Sequence, residues 1–347
     1  MRTARFAASV IAAESARRLG YHQAMHAMLM RELGEPNRLE AVTLDDPQPG
    51  PGEVAIDVRA IGCNFADVLI CQGKYQIRPV LPFSPGSEVA GHVRALGQGV
   101  TGLALGQAVA AQLGFGAYAS VVCADARRVQ GVPEGVPLED ACALGIAYQT
   151  AYLSLVDRAR LQPGESVLVQ AAAGGVGLAS LQVGHALGAR MIAGASGDKL
   201  ALCREHGADA AVDTRAPDWP DRVRELTAGQ GADVICESVG GDVFEGSLKC
   251  IAWGGRLVVV GFSSREIPAP KLNRVMLKHI SLLGLNLGSY HERNPSLLRG
   301  ATAALFALYQ QGKLRPLISG RYPLSAAADA LAELAARRSV GKLLLMP

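Results

Sequence analysis

Apolar and polar residues follow different patterns in the two parts of the chain. Between Met28 and about Val122, short apolar runs are separated by turns rich in glycine and proline, which predicts β-strands. These strands are predicted at 53–59, 88–93 and 117–122. Long helices are excluded around Pro47, Pro49, Pro51, Pro82 and Pro85, because a helix interior does not accommodate the proline ring. We therefore expect a β-rich first part.

From Leu161 onwards, apolar runs alternate with stretches of helical period. Helices are predicted at about 175–187 and 198–206, and strands at 166–170, 190–193, 210–212, 233–236, 256–260 and 280–285. Strands that alternate with helices predict a parallel, doubly wound sheet. The remaining pattern predicts helices at about 295–311 and 325–337 and a final strand at 342–345. A helical segment at 138–160 joins the two parts.

A glycine-rich turn follows the predicted strand 166–170. The glycines would allow close approach of a pyrophosphate, whose charge is stabilised by free N–H groups at a helix N-terminus. Ala172 replaces the first glycine of the G-x-G-x-x-G pattern, and Gly174 and Gly177 match the other two. A merely tight strand-to-helix turn is the weaker alternative, because strand, turn, helix and second strand occur in order. The predicted pyrophosphate contacts are Ala172, Gly174, Gly175, Val176 and Gly177.

The residues after the second predicted strand favour NADPH over NADH. An NAD site usually has an acidic residue about 20 positions further on, where it binds the ribose hydroxyls. Position 194, twenty residues after Gly174, is a glycine, and Ser196 and Lys199 could both donate to a 2′-phosphate. Asp198 is the nearest acid and lies where a helix N-cap is expected. The alternative for Lys199 is a solvated lysine in the first turn of a helix.

Length and composition limit the class of protein. The 347 residues suffice for two domains, and 49% hydrophobic with 19% charged residues is typical of a compact globular chain. Basic residues exceed acidic ones by only 34 − 31 = 3, so we expect no nucleic-acid partner. No apolar run reaches the roughly 18 residues that cross a bilayer, so we expect no membrane partner. The seven scattered cysteines, without a Cys-x-x-Cys pair, indicate reduced thiols and a cytoplasmic protein.

The first 27 residues are treated separately. Residues 1–25 are rich in alanine and carry four arginines against a single acid, Glu14. This composition fits a targeting peptide, but we favour a non-essential extension upstream of a domain that starts near Met28.

Several motifs spread along the chain resemble the quinone oxidoreductase branch of the medium-chain dehydrogenase/reductases. They are Asn64-Phe-Ala-Asp67, Gly73-Lys-Tyr75, 81–88, 91–93, 171–177, 231–234, 239–242, Gly254-Gly255, Gly261-Phe262 and Gly341-Lys342. The resemblance covers about Met28 to the C-terminus. It implies a GroES-like catalytic domain at 28–150 and 292–347, and a Rossmann NADPH-binding domain at 151–291.

The resemblance also implies that no metal is bound. Zinc alcohol dehydrogenases of this superfamily have a cysteine where this chain has Asn64 and a histidine where it has Ser87. An amide and a hydroxyl are poor zinc ligands, and Cys63 is one position out of register. The cysteine cluster of the structural-zinc lobe is missing from 106–114 as well.

Asn64 and Tyr75 are the predicted catalytic residues. Asn64 could contact the nicotinamide or the acceptor, and Tyr75 could donate to the acceptor oxygen. The alternatives are that Asn64 caps the helix that follows it and that Tyr75 only packs against the domain. Asp67 is expected to orient backbone. Without a Lewis acid, the easiest acceptor is one that is already electrophilic, such as a quinone or an enone.

The other predicted cofactor contacts come from strand ends and from family positions. Gly261, Phe262, Leu285 and Leu287 follow predicted strands, whose carboxyl ends bind the ligand in this fold. The resemblance places Thr150 near the nicotinamide. It places Arg337 at a position that contacts the 2′-phosphate in some relatives; a helix C-terminal arginine is an equally good explanation.

The resemblance implies an NADPH:quinone oxidoreductase. Two alternatives stay open: a reductase for the double bond of alkenals or enoyl thioesters, and an NADPH-binding protein of low turnover with a structural or regulatory role. Relatives commonly form homodimers by pairing their Rossmann sheets edge to edge, and 280–285 could be such an edge. The alternative is that this strand lies inside the sheet, with its leucines in the core.

Overall fold

The computed structural model describes residues 24–347, so most of the predicted extension, 1–27, lies outside the described residues. The first strand, β1 (Ala24–Met30), already includes the end of that extension. Residues 24–27, which the sequence had assigned to the extension, therefore belong to a strand. The second strand of the chain pairs with β1 over the full length of β1.

Strands and helices are numbered separately in chain order. The strands are β1 (Ala24–Met30), β2 (Leu39–Asp45), β3 (Glu53–Gly62), β4 (Glu88–Leu96), β5 (Ala108–Gln112), β6 (Val121–Asp125), β7 (Val129–Gly131), β8 (Ser166–Gln170), β9 (Arg190–Ala195), β10 (Ala210–Asp213), β11 (Ala232–Glu237), β12 (Ile251–Val259), β13 (Ser281–Gly284), β14 (Ile318–Pro323) and β15 (Lys342–Met346). The α-helices are α1 (Phe65–Cys71), α2 (Leu138–Ala143), α3 (Ile146–Tyr152), α4 (Gly175–Ala186), α5 (Leu200–Glu205), α6 (Trp219–Leu226), α7 (Gly241–Cys250), α8 (Leu272–Lys278), α9 (Leu287–Arg293), α10 (Pro295–Gln310) and α11 (Ala327–Ala335). A π-helix, Leu153–Arg158, continues α3.

The described chain forms two compact units, one of residues 24–145 and 318–347 and the other of residues 146–317. The sequence had suggested boundaries after 150 and before 292. The segment 292–317 instead belongs to the second unit, because α10 packs against α3. Gln149 of α3 donates to the hydroxyl of Thr302 in α10 at 2.8 Å, and both side chains are buried.

The first unit is built around a seven-stranded sheet. Its strand order is β14-β15-β3-β4-β5-β7, and β6 pairs with β3. β14 and β15 are parallel, and the other pairs are antiparallel. β1 and β2 form a separate antiparallel ribbon. The C-terminal strand β15 thereby lies beside β3, which leads directly into Asn64.

One predicted strand of this unit is misplaced. The prediction was 117–122, but the strand is β6, which begins at Val121. The backbone of Tyr118 bonds instead to Pro85 and Met28, at 3.0 and 2.9 Å. These bonds hold Tyr118 against the 84–86 loop, outside the ladder with β3. Residues 117–120 were therefore wrongly assigned to the strand.

The second unit contains the predicted parallel sheet. Its order is β10-β9-β8-β11-β12-β13, and every neighbouring pair is parallel. All six predicted strands are present, and β13 lies at one edge. Helices α6 to α9 were not located from the sequence, because they are short and only partly apolar. Every helix within residues 24–347 is too short or too polar to cross a membrane.

Candidate functional site

The glycine-rich turn leads from β8 into α4, as predicted. Ala172 N donates to Gly194 O of β9 at 3.0 Å, which holds the turn against the neighbouring strand. A Cβ on Gly177 would lie 2.4 Å from Ala171 O, whereas one on Gly174 would lie 3.4 Å from the same atom. Gly177 is therefore required for the close packing of α4 on the turn. The first N–H groups of an α-helix have no partner within it, so those of α4 can bind an anion.

The carboxyl end of β9 differs from the prediction in one respect. A Cβ on Gly194 would lie 2.5 Å from Oε1 of Gln170, a side chain that is fully buried. A side chain at 194 would therefore point into the protein and not towards a ribose. The absence of a carboxylate at 194 is no argument for NADPH. Asp198, the expected N-cap of α5, lies one residue before the N-cap, which is Lys199.

Ser196 and Lys199 lie in the turn after β9, and the structure adds a basic residue that the sequence did not suggest. Arg215, which follows β10, is exposed and lies beside this turn: its Nη2 is 3.0 Å from where a Cβ on Gly197 would stand. Arg215 also bonds to Asp213, and this hydrogen bond lowers the pKa of Asp213. Only the pairing of β9 with β10 brings these residues together.

A buried carboxylate, also not predicted, shapes the turn after β11. Glu237 accepts hydrogen bonds from Val239 N at 2.7 Å, Gly240 N at 3.0 Å and the Ser247 hydroxyl at 3.0 Å. Gln170 donates to the same hydroxyl at 3.0 Å, which links the ends of β8 and β11. Burial raises the pKa of Glu237 in spite of these three donors.

The remaining predicted contacts of the second unit follow β12 and β13 or lie on α3. Phe262 lies with its ring against Gly240, 3.2 Å from where a Cβ there would stand, and Gly261 precedes it. Leu285 N donates to Val259 O at 3.0 Å. Leu287 begins α9, and Thr150 is buried on α3. Because the strands are parallel, the predicted residues that follow β8, β9, β12 and β13 share one edge of the sheet.

Asn64, in the first unit, belongs to a cluster of three polar side chains. Its Nδ2 donates to Oε1 of Glu88 at 2.9 Å, and Nζ of Lys342 donates to its Oδ1 at 2.7 Å. Lys342 also bonds directly to Glu88. Glu88 and Lys342 are 1% and 5% exposed. Burial opposes the charge of Lys342, but the attraction and hydrogen bond of Glu88 outweigh it and raise the pKa of Lys342.

The carboxylate of Glu88 is tightly packed against two glycines. A Cβ on Gly62 would lie 2.3 Å from Oε1 of Glu88, and one on Gly145 would lie 2.2 Å from Oε2. Both oxygens are therefore enclosed by residues without side chains. Residues 24–347 contain no group of three or more His, Cys, Asp or Glu that could hold a metal ion. The negative charge of Glu88 is already matched by the ammonium of Lys342.

Asp67, Ser87 and Tyr75 lie in the same region of the first unit. Oδ2 of Asp67 accepts from Asn64 N at 2.8 Å, which places Asn64 as the N-cap residue of α1. The hydroxyl of Ser87 lies 3.5 Å from Oδ1 of Asp67. Tyr75 is half-buried and packs on the core. Burial and the nearby charge of Asp67 raise the pKa of Tyr75, so its phenol stays protonated and can donate.

Arg337 is the third predicted residue of the first unit. It comes two residues after the end of α11, with φ of 56°, and its N–H bonds to Leu334 O at 3.0 Å. Its backbone therefore closes the C-terminus of the helix. Asn64, Tyr75 and Arg337 thus belong to one unit, and the other predicted site residues belong to the second.

Two family models match parts of the chain. Residues 50–134 match the alcohol dehydrogenase GroES-like domain, and residues 175–302 match the family described as zinc-binding dehydrogenase. The predicted fold class, a GroES-like domain with a Rossmann-type parallel sheet, is confirmed.

Named relatives extend the similarity over nearly the whole chain. Quinone oxidoreductase-like protein 2 homolog of Nematostella vectensis is 38% identical, over 97% of this chain and 95% of that protein. The quinone oxidoreductase of Escherichia coli, solved as a complex with NADPH, is 32% identical with a TM-score of 0.87, and covers 93% of this chain and 100% of that chain. A mycobacterial protein, also solved with NADPH, is 35% identical with the same TM-score and the same coverage.

Proposed function

The chain belongs to the quinone oxidoreductase branch of the medium-chain dehydrogenase/reductase superfamily, and we propose that it transfers a hydride from NADPH to a quinone or a similar electrophilic conjugated acceptor, without a metal. The observation that carries this proposal is the buried contact of Lys342 with Asn64 and Glu88. An ammonium group already lies beside Glu88, and a second cation there would be repelled. The acceptor must then be electrophilic without the help of a Lewis acid.

Bound NADPH would supply the hydride, and the chain would supply binding and orientation. We place the pyrophosphate at Ala172 and Gly174 to Gly177, where the helix N-terminus favours an anion. The 2′-phosphate is assigned to Ser196 and Lys199 of the second unit. The nicotinamide is assigned to residues of the second unit: Thr150, Gly261, Phe262, Leu285 and Leu287.

Tyr75 is proposed as the donor to the acceptor oxygen. The phenol is protonated at neutral pH, so its O–H can stabilise negative charge that develops during hydride transfer. Asn64 is proposed to act through its position between Lys342 and the N-terminus of α1. Both amide atoms of Asn64 are held by charged side chains, so the amide has one fixed orientation.

The function is tested by steady-state assays with NADPH over a panel of quinones, enones and simple ketones, before and after chelation. We expect turnover of quinones or enones that survives chelation, and little turnover of ketones. Loss of activity on chelation with recovery on adding zinc would contradict the proposal. Tight NADPH binding with no turnover of any acceptor would favour the structural or regulatory alternative.

We also propose that the protein is a homodimer formed through β13. This strand is an edge of the parallel sheet in the described residues, and Leu282 on it is exposed. Five other large apolar side chains of the second unit are more than two-thirds exposed: Trp253, Ile267, Leu272, Met276 and Leu277. An edge strand beside exposed apolar residues is a surface that soluble proteins usually cover, and two-fold pairing would cover it.

The proposed location is the cytoplasm. All seven cysteines are free thiols, and six of them are buried. Such usage is typical of a reducing compartment.

A further inference from the structure

The carboxyl group of Asp67 is fully buried and has two unlike oxygens. Oδ2 accepts two hydrogen bonds, from Asn64 N at 2.8 Å and from the Tyr118 hydroxyl at 3.1 Å. Oδ1 faces the hydroxyl of Ser87 at 3.5 Å. Because both donors point at Oδ2, a proton on this carboxyl group is best placed on Oδ1, where it faces Ser87.

Ser87 is the partner of Asp67 that reaches the surface of the first unit. Tyr118 is fully buried, whereas Ser87 is half-buried. The backbone of Ser87 is held by a bond from Leu113 N to its carbonyl oxygen at 2.8 Å. Ser87 also precedes Glu88, which binds Asn64. The Ser87 hydroxyl therefore contacts a buried carboxyl group from a position that is partly open to solvent.

Neutral and charged forms of Asp67 are close in free energy near neutral pH. Burial raises its pKa to about 7, against the opposing effects of the Asn64 N–H, Lys342 and the Tyr118 hydroxyl. The titratable and charged groups around it are Cys63, Cys71, Tyr75, Glu88, Tyr118 and Lys342. Burial raises the pKa of both thiols to about 12, so Cys63 and Cys71 stay neutral.

We propose that Ser87 is a further catalytic residue, which donates a proton to the reduced acceptor and recovers it from Asp67. The proposal rests on the proposed function. Hydride transfer from NADPH brings two electrons to the acceptor, and its oxygen then takes the hydroxyl proton of Ser87. The Ser87 oxygen takes the proton on Oδ1 of Asp67, which becomes a carboxylate. After the product leaves, water returns one proton to Asp67 through Ser87, so one NADPH and one proton are consumed per two-electron reduction.

The first test compares Ser87→Ala with Ser87→Thr. We expect Ser87→Ala to lower kcat about 100-fold, the usual loss of a general acid, with the Kd for NADPH from fluorescence titration unchanged. Ser87→Thr should recover most of the activity, because it keeps the hydroxyl. A Ser87→Ala enzyme with the kcat of the wild type would overturn the relay but leave the proposed function intact. A wild type without turnover of any acceptor would overturn both.

The second test uses pH and separates proton donation from a structural role. Because Asp67 must be protonated, kcat of the wild type should fall as pH rises through about 7. Tyr118→Phe removes a hydrogen bond that lowers the pKa of Asp67, so the fall should move to higher pH. The infrared band of the protonated carboxyl group, recorded against pH in the cofactor-free protein, should likewise disappear at a higher pH in Tyr118→Phe. If Tyr118→Phe changes neither the pH at which the band disappears nor the pH dependence of kcat, the role of Asp67 is refuted.

Discussion

The ammonium group of Lys342, in the last strand, lies 2.7 Å from Oδ1 of Asn64, a residue 278 positions earlier in the chain. The pairing of β15 with β3 brings the two together, since Leu344 lies opposite Gly62. A C-terminal strand thus completes the polar cluster at the start of α1. Asn64, Glu88 and Lys342 form one unit in which each side chain bonds to the other two.

Removal of the cation should destabilise the first unit. Lys342→Met leaves Glu88 buried without its partner, for which we expect a loss of about 3–5 kcal/mol in the free energy of unfolding. The double variant Lys342→Met/Glu88→Gln should recover much of this loss. Urea unfolding followed by circular dichroism measures both, with the exposed Lys313→Met as control. Equal urea midpoints for Lys342→Met and the control would contradict the prediction.

The stability of the protein should depend on the protonation of Asp67. Its pKa rises from 3.8 in the unfolded chain to about 7 in the fold, so between pH 4 and 7 the folded state binds more protons. Stability from this group is complete below pH 4 and is lost as pH rises to 7, by up to about 4 kcal/mol. Asp67→Asn should flatten this dependence. Urea midpoints of the wild type and of Asp67→Asn, measured from pH 4.5 to 7.5, test this prediction. If the two midpoints change with pH in parallel, the protonation of Asp67 does not control stability.

Two alanine substitutions in the glycine-rich turn should have different effects on stability. Gly177→Ala places a Cβ 2.4 Å from Ala171 O, so α4 must shift, and we expect a cost of about 1–3 kcal/mol. Gly174→Ala, its matched control, meets the same atom at an ordinary 3.4 Å. Calorimetry without cofactor should show a lower Tm for Gly177→Ala alone. Similar Tm values for the two variants would mean that the turn adapts.

Lys199 should distinguish NADPH from NADH. Removing a charge that faces the 2′-phosphate, as in Lys199→Ala, should raise the Kd for NADPH about tenfold, or about 1.4 kcal/mol, and leave that for NADH nearly unchanged. The exposed Lys249→Ala serves as control for net charge. Fluorescence titration with both cofactors measures the effect. If the affinities for both fall equally, Lys199 does not recognise the phosphate.

Assembly should depend on the apolar surface beside β13. A carboxylate at an apolar interface is costly to bury, so Leu282→Glu combined with Met276→Glu should convert a dimer to a monomer. Leu105→Glu should leave the dimer intact, because Leu105 lies in the first unit; it is as exposed as Met276, at 67% against 68%. Light scattering gives the mass, and retained NADPH binding shows that the variant is folded. A monomeric wild type at micromolar concentration would end the dimer hypothesis.

Local patterns in the sequence determined much of the second unit. The six strands of the parallel sheet and the turn from β8 into α4 follow from runs of apolar residues and from glycine spacing. These signals are local because a strand or a tight turn involves residues that are neighbours in the chain. Asn64 and Tyr75 were likewise proposed from motifs that span only a few residues.

Only the tertiary structure decided which side chains meet. The direction of a side chain at 194 depends on the pairing of Gly194 with Gln170, and the place of Arg215 depends on the pairing of β10 with β9. The Lys342 contact likewise needs β15 beside β3. Such contacts join residues far apart in the chain, and they depend on which strands become neighbours in a sheet, which a local pattern of residues does not specify.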